Sequence, residues 1–371
     1  MLSYEKKAKE ILKGSGIELN GNNPWDIKVL DNRAYERVFK YATLGFGEAY
    51  MDKWIEIEAL DEFFYRIFTN KIEEKIKSPV MLLYKLKSMF SNDPYEVGRV
   101  HYDIGNDLYE KMLDKRMIYS CGYWKKCEDL PEAKNLDEAQ EHKLEMICRK
   151  LKLKEGERVL DIGCGWGGLL KYMAEKYNIK GVGVSVSKKQ IEYANTNKGD
   201  LDLEFRLCDY KDVKEKFDKI VSIGMFEHVG YKHYNEFMKV ANRCLKDDGL
   251  FLLHTIGSLE SVKSCDPWIN KYIFPNSMLP SLKQISEAAE GKFVIEDVHN
   301  FGYEYYPTLM SWYNNFVNAW DELKDKYDER FFRMWKFYLL SSAALFKARI
   351  NQVWQIVLSK NGVKEGYVRF R

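Results

Sequence analysis

A loop of closely spaced glycines in VLDIGCGWGG is the first feature of this sequence that could do chemistry. Gly163, Gly165 and Gly167 follow an apolar run that contains Asp161, and a run with helical spacing comes next. Glycines between a strand and a helix let a ligand approach the main chain closely. The loop therefore predicts a small-molecule site, and the alternative is a tight turn without a ligand. A dinucleotide loop would be spaced G-x-G-x-x-G, so the G-x-G-x-G spacing disfavours an NAD-dependent dehydrogenase.

An ionisable pair at the end of a second apolar run is the next candidate. Glu227 and His228 follow KIVSIGMF, which reads as a buried strand. Since successive strand residues face opposite sides, we expect His228 to point away from the direction of Glu227 and to serve structure. For an isolated Glu at a strand end, a structural salt bridge is the ordinary interpretation.

The elements that must position these residues alternate between strands and helices from about residue 158. Strands are predicted in RVLDIGC, GVGVSVS, LEFRLCD, KIVSIGMF and GLFLLHTIG, and helices in GLLKYMAEKY, KKQIEYANTN and HYNEFMKVANRCL. This alternation predicts an α/β fold with a mostly parallel, doubly wound, Rossmann-like sheet that binds ligands at the carboxyl ends of its strands. From about residue 305 the chain is rich in aromatic residues, and we expect a helical cap there.

Three regions are predicted along the chain. We expect residues 1–78 to form a small α-rich amino-terminal domain, 79–95 a linker, and 96–371 a larger domain that contains the α/β sheet and the aromatic helices. The linker sequence VMLLYKLKSMF fits a basic amphipathic helix on a lipid surface. The alternative is a helix packed between domains.

Composition excludes several classes of function. The 371 residues carry a formal charge of +2, so no general basic field indicates a nucleic-acid partner. The seven cysteines contain no CxxC pair, which predicts free thiols in a reducing cytoplasm and no metal site. The first residues, MLSYEKKAKEILKG, lack the apolar stretch of a secretory signal, and no later apolar run approaches the ~18 residues of a membrane span. We therefore expect neither a secreted nor a transmembrane protein.

Several longer motifs carry a resemblance to a known family. They are HYDIGNDLY, MIYSCGYW, LDIGCGWGG, GMFEHVG, LLHTIG, DPWINKYIFPN and HNFGYEYYPTLMSWY. Together they resemble the cyclopropane fatty acid synthases, which are class I S-adenosylmethionine-dependent methyltransferases. The resemblance implies transfer of a methylene from S-adenosylmethionine to the cis double bond of an unsaturated acyl chain in a membrane phospholipid, with bound bicarbonate as general base. It also implies a homodimer in peripheral contact with the inner face of the membrane. Residues 1–78 would then serve lipid docking or dimerisation, and 96–371 would be a catalytic domain with acyl-binding helices.

The resemblance implies two sets of site residues. The bicarbonate set is Cys121, Glu227, His254, the Ile256 backbone and Tyr305, and the cofactor set is Tyr102, Tyr119, Ser120, Gly163, Gly165, Ser185, Gln190, Asp209 and Tyr210. Ser185 and Gln190 would hold the ribose where most such methyltransferases offer Asp or Glu. Asp209 and Tyr210 would contact the adenine. The alternatives are an N-cap serine, a surface glutamine and a solvated aspartate.

The chemistry implied by the family assigns further roles and leaves alternatives open. Glu227 would accept the bicarbonate proton, and Tyr305, Trp312, Tyr313 and Phe316 would line an acyl channel, unless they are plain core. Ser342 in LLSSAALFKAR stands where family members carry a cysteine. We predict that this cysteine is dispensable for activity. The alternative functions are a related C-methyltransferase that gives methyl-branched or hydroxylated acyl chains, a small-molecule methyltransferase, and a non-catalytic lipid-surface binding protein.

Overall fold

A computed structural model describes residues 3–76, 78, 80 and 105–370 of the chain. The chain forms two compact units. The first contains Met1–Asn92, Ser264–Asn276 and Leu309–Asn351, and the second contains Asp93–Lys263, Ser277–Thr308 and Gln352–Arg371. The predicted site residue Tyr102 and nearly all of the predicted linker lie outside the described residues.

The described elements are numbered in chain order. The strands are β1 (Lys28–Val29), β2 (Ile55–Glu56), β3 (Arg158–Ile162), β4 (Lys180–Ser185), β5 (Leu203–Leu207), β6 (Phe217–Ile223), β7 (Leu245–Ser258), β8 (Val294–Asn300) and β9 (Asn351–Ser359). The helices are α1 (Tyr4–Leu12), α2 (Arg33–Met51), α3 (Leu60–Thr69), α4 (Ile72–Lys75), α5 (Asn106–Met112), α6 (Leu136–Lys150), α7 (Gly168–Tyr177), α8 (Lys188–Thr196), α9 (Tyr234–Cys244), α10 (Pro267–Tyr272), α11 (Leu282–Ala289), α12 (Tyr305–Asn318), α13 (Trp320–Leu323) and α14 (Glu329–Lys347).

The second unit is built on a sheet whose described strands follow the order β5-β4-β3-β6-β7-β9-β8. Strands β5, β4, β3, β6 and β7 pair in parallel, and β8 pairs antiparallel with β9. The strand order reverses direction at β3, the strand that leads into the glycine loop. In such sheets this switch point is where ligands bind.

Strand β3 shows why the sheet is covered on both faces. Leu160 and Ile162 pack into one apolar cluster with β4, β6 and α9, whereas Val159 packs into another with α6 and α7. Side chains alternate between the two faces of a strand, so a strand that is apolar throughout must be buried on both. The predicted doubly wound α/β fold is confirmed.

The carboxyl-terminal part of the sheet was not predicted. The expectation of helices from about residue 305 holds for α12 to α14 but is wrong for residues 351–359, which form β9. Strand β8 was also missed. Both strands mix polar with apolar residues, so neither shows the apolar run that identified the parallel strands.

The first unit consists mainly of helices, with a short antiparallel pair of β1 and β2. Its division from the rest differs from the predicted one, because α10, α14 and most of α12 pack with the amino-terminal helices. Trp268 of α10 lies so close to Gly47 that a Cβ atom there would come within 2.3 Å of the indole. Phe337 of α14 packs on Phe46, Tyr50 and Phe64. These contacts cover apolar faces of α2 and α3 that residues 1–78 leave open.

Within the described ranges, no helix is both long and apolar enough to cross a membrane.

Candidate active site

A cavity of about 190 Å³ in the second unit collects the described members of the predicted cofactor set. It lies where β3, β4 and β6 end. The predicted residues in its lining are Tyr119, Ser120, Gly163, Gly165, Ser185, Gln190, Asp209 and Tyr210. Residues that are far apart in the sequence therefore surround one space at the switch point of the sheet.

The glycine loop forms one wall of this cavity because its conformation excludes side chains. Gly163, Gly165 and Gly167 have φ values of 87°, 53° and 82°, in the left-handed region that glycine occupies most readily. A Cβ atom on Gly163 would come within 2.6 Å of Met225, and one on Gly167 within 2.6 Å of Phe205. The loop therefore presents bare main chain to a ligand.

Ser185 and Gln190 are paired at the end of β4. The Ser185 hydroxyl donates to Gln190 Oε1 over 3.2 Å and accepts the Ser187 N–H over 3.1 Å. Ser187, rather than Ser185, caps α8. The N-cap alternative for Ser185 is therefore wrong, and the buried Gln190 is not a surface glutamine.

Asp209 and Tyr210 lie at the corresponding end of β5. Asp209 begins a 3-10 turn and accepts the Lys211 N–H over 2.9 Å. Tyr210 is buried and its ring packs on Phe237, with 5.2 Å between centroids. This packing fixes the orientation of the Tyr210 ring in the wall of the cavity.

Two ionisable residues that were not predicted as ligand contacts also line the cavity. Asp161 is 3% exposed, and its Oδ1 atom has no hydrogen-bond partner among the described residues. Burial raises the pKa of Asp161 to about 7, against the opposing effect of the Lys143 charge. Lys143 is fully buried on α6, donates to Ser120 Oγ over 2.8 Å, and has its pKa lowered to about 8 by burial. The cavity wall thus contains a buried acidic and a buried basic side chain, each with its charged form disfavoured by burial.

The members of the predicted bicarbonate set lie outside this cavity lining, within the described part of the second unit. Glu227 Oε1 accepts the Ile256 N–H over 2.6 Å, so these two predicted residues are in direct contact. Its Oε2 atom is buried and has no hydrogen-bond partner in residues 105–370 or in the other described ranges. Burial raises the pKa of Glu227 to about 7.

His254 lies on β7, two residues before Ile256 and opposite Ile223 of β6. It is 2% exposed, and burial lowers its pKa well below the usual range, with the Lys143 and Lys150 charges acting in the same direction. The Gln355 side chain of β9 lies 3.3 Å from its Nδ1 atom. His254 is therefore a neutral imidazole held between strands.

Cys121 and Tyr305 are joined through the segment that follows the cysteine. Gly122 donates its N–H to Thr308 Oγ1 over 3.1 Å, and Thr308 lies one turn after Tyr305 on α12. Cys121 is fully buried, and burial raises the pKa of its thiol. The thiol is therefore protonated at neutral pH and can act as a weak donor.

Glu227 and His228 point in different directions, as predicted, but not for the predicted reason. Residues 226–228 form a 3-10 turn rather than a continuation of β6, so the alternation of strand side chains does not apply to them. His228 lines the cavity, whereas Glu227 points to Ile256. Burial lowers the pKa of His228 to about 4, so the residue is neutral.

Comparison with known proteins assigns the family. Residues 90–356 match the family described as mycolic acid cyclopropane synthetase. The chain belongs to this family. It is 48% identical over 372 residues to cyclopropane-fatty-acyl-phospholipid synthase of Escherichia coli strain K12, which covers 98% of this chain and 95% of the relative. It is also 34% identical to the sphingolipid C9-methyltransferase of Komagataella phaffii, over 73% of this chain and 59% of that protein.

Solved structures agree with membership in the mycolic acid cyclopropane synthetase family. The cyclopropane synthase MmaA2 from Mycobacterium tuberculosis matches 72% of this chain and 98% of its own, with a TM-score of 0.66 and 29% identity. Mycolic acid cyclopropane synthase CmaA1, complexed with SAH and CTAB, matches 73% of this chain and 99% of its own, with a TM-score of 0.64 and 30% identity. The resemblance inferred from the motifs is confirmed, and the chain is an enzyme with the S-adenosylmethionine-dependent methyltransferase fold.

Proposed function

We propose that this enzyme transfers a methylene from S-adenosylmethionine to the cis double bond of unsaturated acyl chains in membrane phospholipids and closes a cyclopropane ring, with bound bicarbonate as general base. The observation that carries the proposal is the 48% identity to a cyclopropane-fatty-acyl-phospholipid synthase over almost the full length of both chains. The two groups of buried polar residues at the ends of β3, β6 and β7 support it.

The cavity residues fit the cofactor. Gly163 and Gly165 offer main chain without side chains, and the unpartnered Oδ1 of Asp161 can accept from an ammonium group. Ser185 and Gln190 offer neutral hydrogen-bonding groups for ribose hydroxyls, and Tyr210 offers a ring face for adenine. When bound, S-adenosylmethionine would supply an electrophilic methyl group.

The second group of residues fits a small oxyanion. His254 and the Cys121 thiol are neutral and can donate to oxygen, as can the Tyr305 hydroxyl, so they would hold bicarbonate. Bicarbonate would supply a base for the proton that must leave before a ring closes. Glu227 Oε2 has no hydrogen-bond partner among the described residues, and in its ionised form it accepts a proton at that atom.

His254 is 2% exposed and lies among aromatic side chains, which keep water from its ring. Its ring meets Phe301 edge-on at 5.6 Å, and Phe301 in turn packs on Tyr123 and His299. Water near a cationic carbon would trap it as an alcohol, so the exclusion of water favours closure of the ring.

A related C-methyltransferase is the second candidate, because two relatives that are named as methyltransferases of a sphingolipid or a fatty acid also match. They are the sphingolipid C9-methyltransferase described above and a probable fatty acid methyltransferase of Pseudomonas putida, at 30% identity over 85% of this chain and 82% of its own. Such an enzyme would reduce the cation to a methyl branch with hydride from a separate donor, or capture the cation with water.

Labelled cofactor separates these activities. Purified enzyme is incubated in bicarbonate buffer with vesicles of unsaturated phospholipid and S-adenosylmethionine that carries a trideuterated methyl group, and the acyl chains are analysed by mass spectrometry. Ring closure predicts a product without a double bond that keeps two of the three deuteriums. A hydroxylated product that keeps all three deuteriums, or a methyl-branched product that keeps all three and exceeds the ring by one deuterium and one hydrogen, would contradict the proposal. A matched reaction depleted of bicarbonate tests the base.

We also propose that the enzyme works as a homodimer in peripheral contact with the inner face of the membrane. The substrate in the name of the Escherichia coli relative is a phospholipid, which supports a membrane location. Co-flotation with phospholipid vesicles and analytical ultracentrifugation test the two parts, and a monomer that stays with the buffer would contradict both.

A further inference from the structure

Four buried polar side chains form a chain of contacts across the carboxyl-terminal half of the sheet. Lys150 Nζ of α6 lies 2.8 Å from Gln355 Oε1 of β9 and 2.8 Å from His299 Nδ1 of β8. Gln355 Nε2 lies 3.3 Å from His254 Nδ1 of β7. Because β9 lies between β7 and β8, Gln355 sits between the two histidines, directly opposite His299 in the β8–β9 register.

The ammonium group of Lys150 fixes the donor and the acceptor in each contact between Lys150, Gln355 and His254. A lysine ammonium only donates hydrogen bonds, so Gln355 must turn its carbonyl oxygen towards Lys150. Its amide nitrogen, which also only donates, then faces His254. A neutral imidazole carries one proton, and the nitrogen that accepts from Gln355 cannot be the one that carries it. His254 Nδ1 is therefore the acceptor, and the proton lies on Nε2.

We propose that Lys150 and Gln355 are positioning residues that hold His254 in its Nε2–H tautomer, so that Nε2–H is available to a bound ligand. No group in the described part of the chain hydrogen-bonds Nε2. The identity of that ligand as bicarbonate rests on the proposed function, whereas the tautomer does not.

Lys150 is needed because Gln355 alone does not determine whether its amide nitrogen or its carbonyl oxygen faces His254. A side-chain amide presents a donor and an acceptor of nearly equal size, and rotation by half a turn exchanges them. If Gln355 presented its carbonyl to His254, the imidazole proton would move to Nδ1. The lone pair of Nε2 would then face the ligand, and a lone pair repels an oxyanion.

Ring ¹⁵N NMR of the wild-type enzyme tests the tautomer without any substitution. A protonated and an unprotonated ring nitrogen have well separated shifts, the chain has six histidines, and the signal of His254 is the one lost in H254Q. The expected result is a protonated Nε2 and an unprotonated Nδ1. The opposite assignment in the wild-type enzyme would overturn the proposal.

Two variants test the relay, by which we mean the positioning of His254 by Lys150 through Gln355. Gln355→Glu places a carboxylate acceptor against Nδ1 and should move the proton to Nδ1, and Lys150→Met should give a mixture of tautomers. Gln352→Glu is the matched control, since Gln352 is buried on the same strand but accepts from Asn300 over 2.9 Å. It should leave the His254 signals unchanged. A wild-type tautomer in folded Q355E would contradict the relay.

Kinetics separate the relay from the proposed base. If bicarbonate binds at His254, Q355E should raise its half-saturating concentration about tenfold, with little change in KM for S-adenosylmethionine. An Nε2–H tautomer that depends on Gln355, together with an unchanged bicarbonate response, would keep the relay and remove bicarbonate from the proposed function.

Discussion

Two carboxyl groups of the candidate site, those of Asp161 and Glu227, are buried, and burial raises the pKa of each to about 7. The neutral form is therefore favoured in the folded protein. The stability that follows from this preference is fully present below the unfolded pKa values, 3.8 for Asp and 4.5 for Glu, and is lost as the pH rises through about 7. Between the unfolded pKa values and pH 7, the buried Asp161 and Glu227 carboxyls lower the unfolding free energy, because the unfolded chain ionises first.

Glu227→Gln should separate this cost in stability from the catalytic role. The amide cannot ionise, so the unfolding free energy of the variant should not fall with that of the wild-type protein as the pH rises. The difference in favour of the variant should grow between pH 5 and pH 8.5, by at most about 3 kcal/mol. Wild-type turnover should rise with pH through about 7, and the variant should lose at least about a hundredfold at pH 8. Urea unfolding at pH 5 and pH 8.5 measures the change in stability, and the acyl-chain assay at pH 8 measures the loss of turnover.

The exposed Glu260 provides the control, because Glu260→Gln changes the same functional group at the surface. Its unfolding free energy and turnover should follow the wild-type values at every pH. Equal stability differences at pH 5 and pH 8.5 for E227Q would show that Glu227 is not an uncharged group at low pH in the fold.

The sequence could predict Glu227 and the glycines, but it could not predict Lys143 and Lys150. Glycine spacing and an acid after an apolar run are local signals, whereas lysines on a polar helix normally lie in water. The available signal is their seven-residue spacing, two turns apart on α6, on the face that also buries Ile147. The prediction for His228 rested on strand alternation, which does not extend into a 3-10 turn.

At the scale of elements, the start of α12 is tied to the segment after Cys121. Glu304 is buried and accepts the N–H groups of Trp124 over 2.9 Å and Lys125 over 3.2 Å. Thr308 Oγ1 accepts from Gly122 N and from Trp124 Nε1, over 3.1 and 2.9 Å. These bonds connect the elements that carry Cys121 and Tyr305.

Thr308→Val should loosen this connection with little change in volume. The variant leaves two donors unpaired in a buried place, so we expect a loss of about 1–3 kcal/mol in unfolding free energy and a fall in kcat at unchanged S-adenosylmethionine affinity. Thr196→Val is matched, since both hydroxyls bond the carbonyl four residues earlier but Thr196 is exposed. An equal loss in both variants would show that the helix bond alone accounts for it.

The parallel strands were predictable because each is a short apolar run with turn residues beside it. The sequences of β8 and β9, VIEDVHN and NQVWQIVLS, carry polar residues that only the assembled fold explains. Gln355 is such a residue, since its contacts come from a helix and a strand far away in the chain. Gln355 was therefore absent from the predicted site.

At the scale of the whole chain, the two units are interleaved in sequence. The first unit takes residues 264–276 and 309–351 from beyond the start of the second. Arg333 of α14 donates to the Tyr50 carbonyl over 2.6 Å and to Glu56 over 2.7 Å, and Lys271 of α10 donates to Glu48 over 2.7 Å. The amino-terminal helices thus depend on later segments for both apolar and polar contacts.

Fragment 1–78 should therefore not fold by itself. Without α10 and α14, the apolar faces of α2 and α3 are left in water, and we expect little helix by circular dichroism and no cooperative thermal transition. Helical signal should return when the fragment is co-expressed with 79–371. A cooperatively melting fragment 1–78 would show that the later segments are dispensable for its fold.

The position of β9 also has a consequence for synthesis on the ribosome. This strand leaves the ribosome after β8 but lies between β7 and β8 in the sheet. A nascent chain that ends before residue 351 can pair β3 to β7, yet it has no strand to which β8 can attach in its native place. The polar contact to His254 arrives only with β9, so enzyme activity should begin abruptly, once residues 351–359 have been translated.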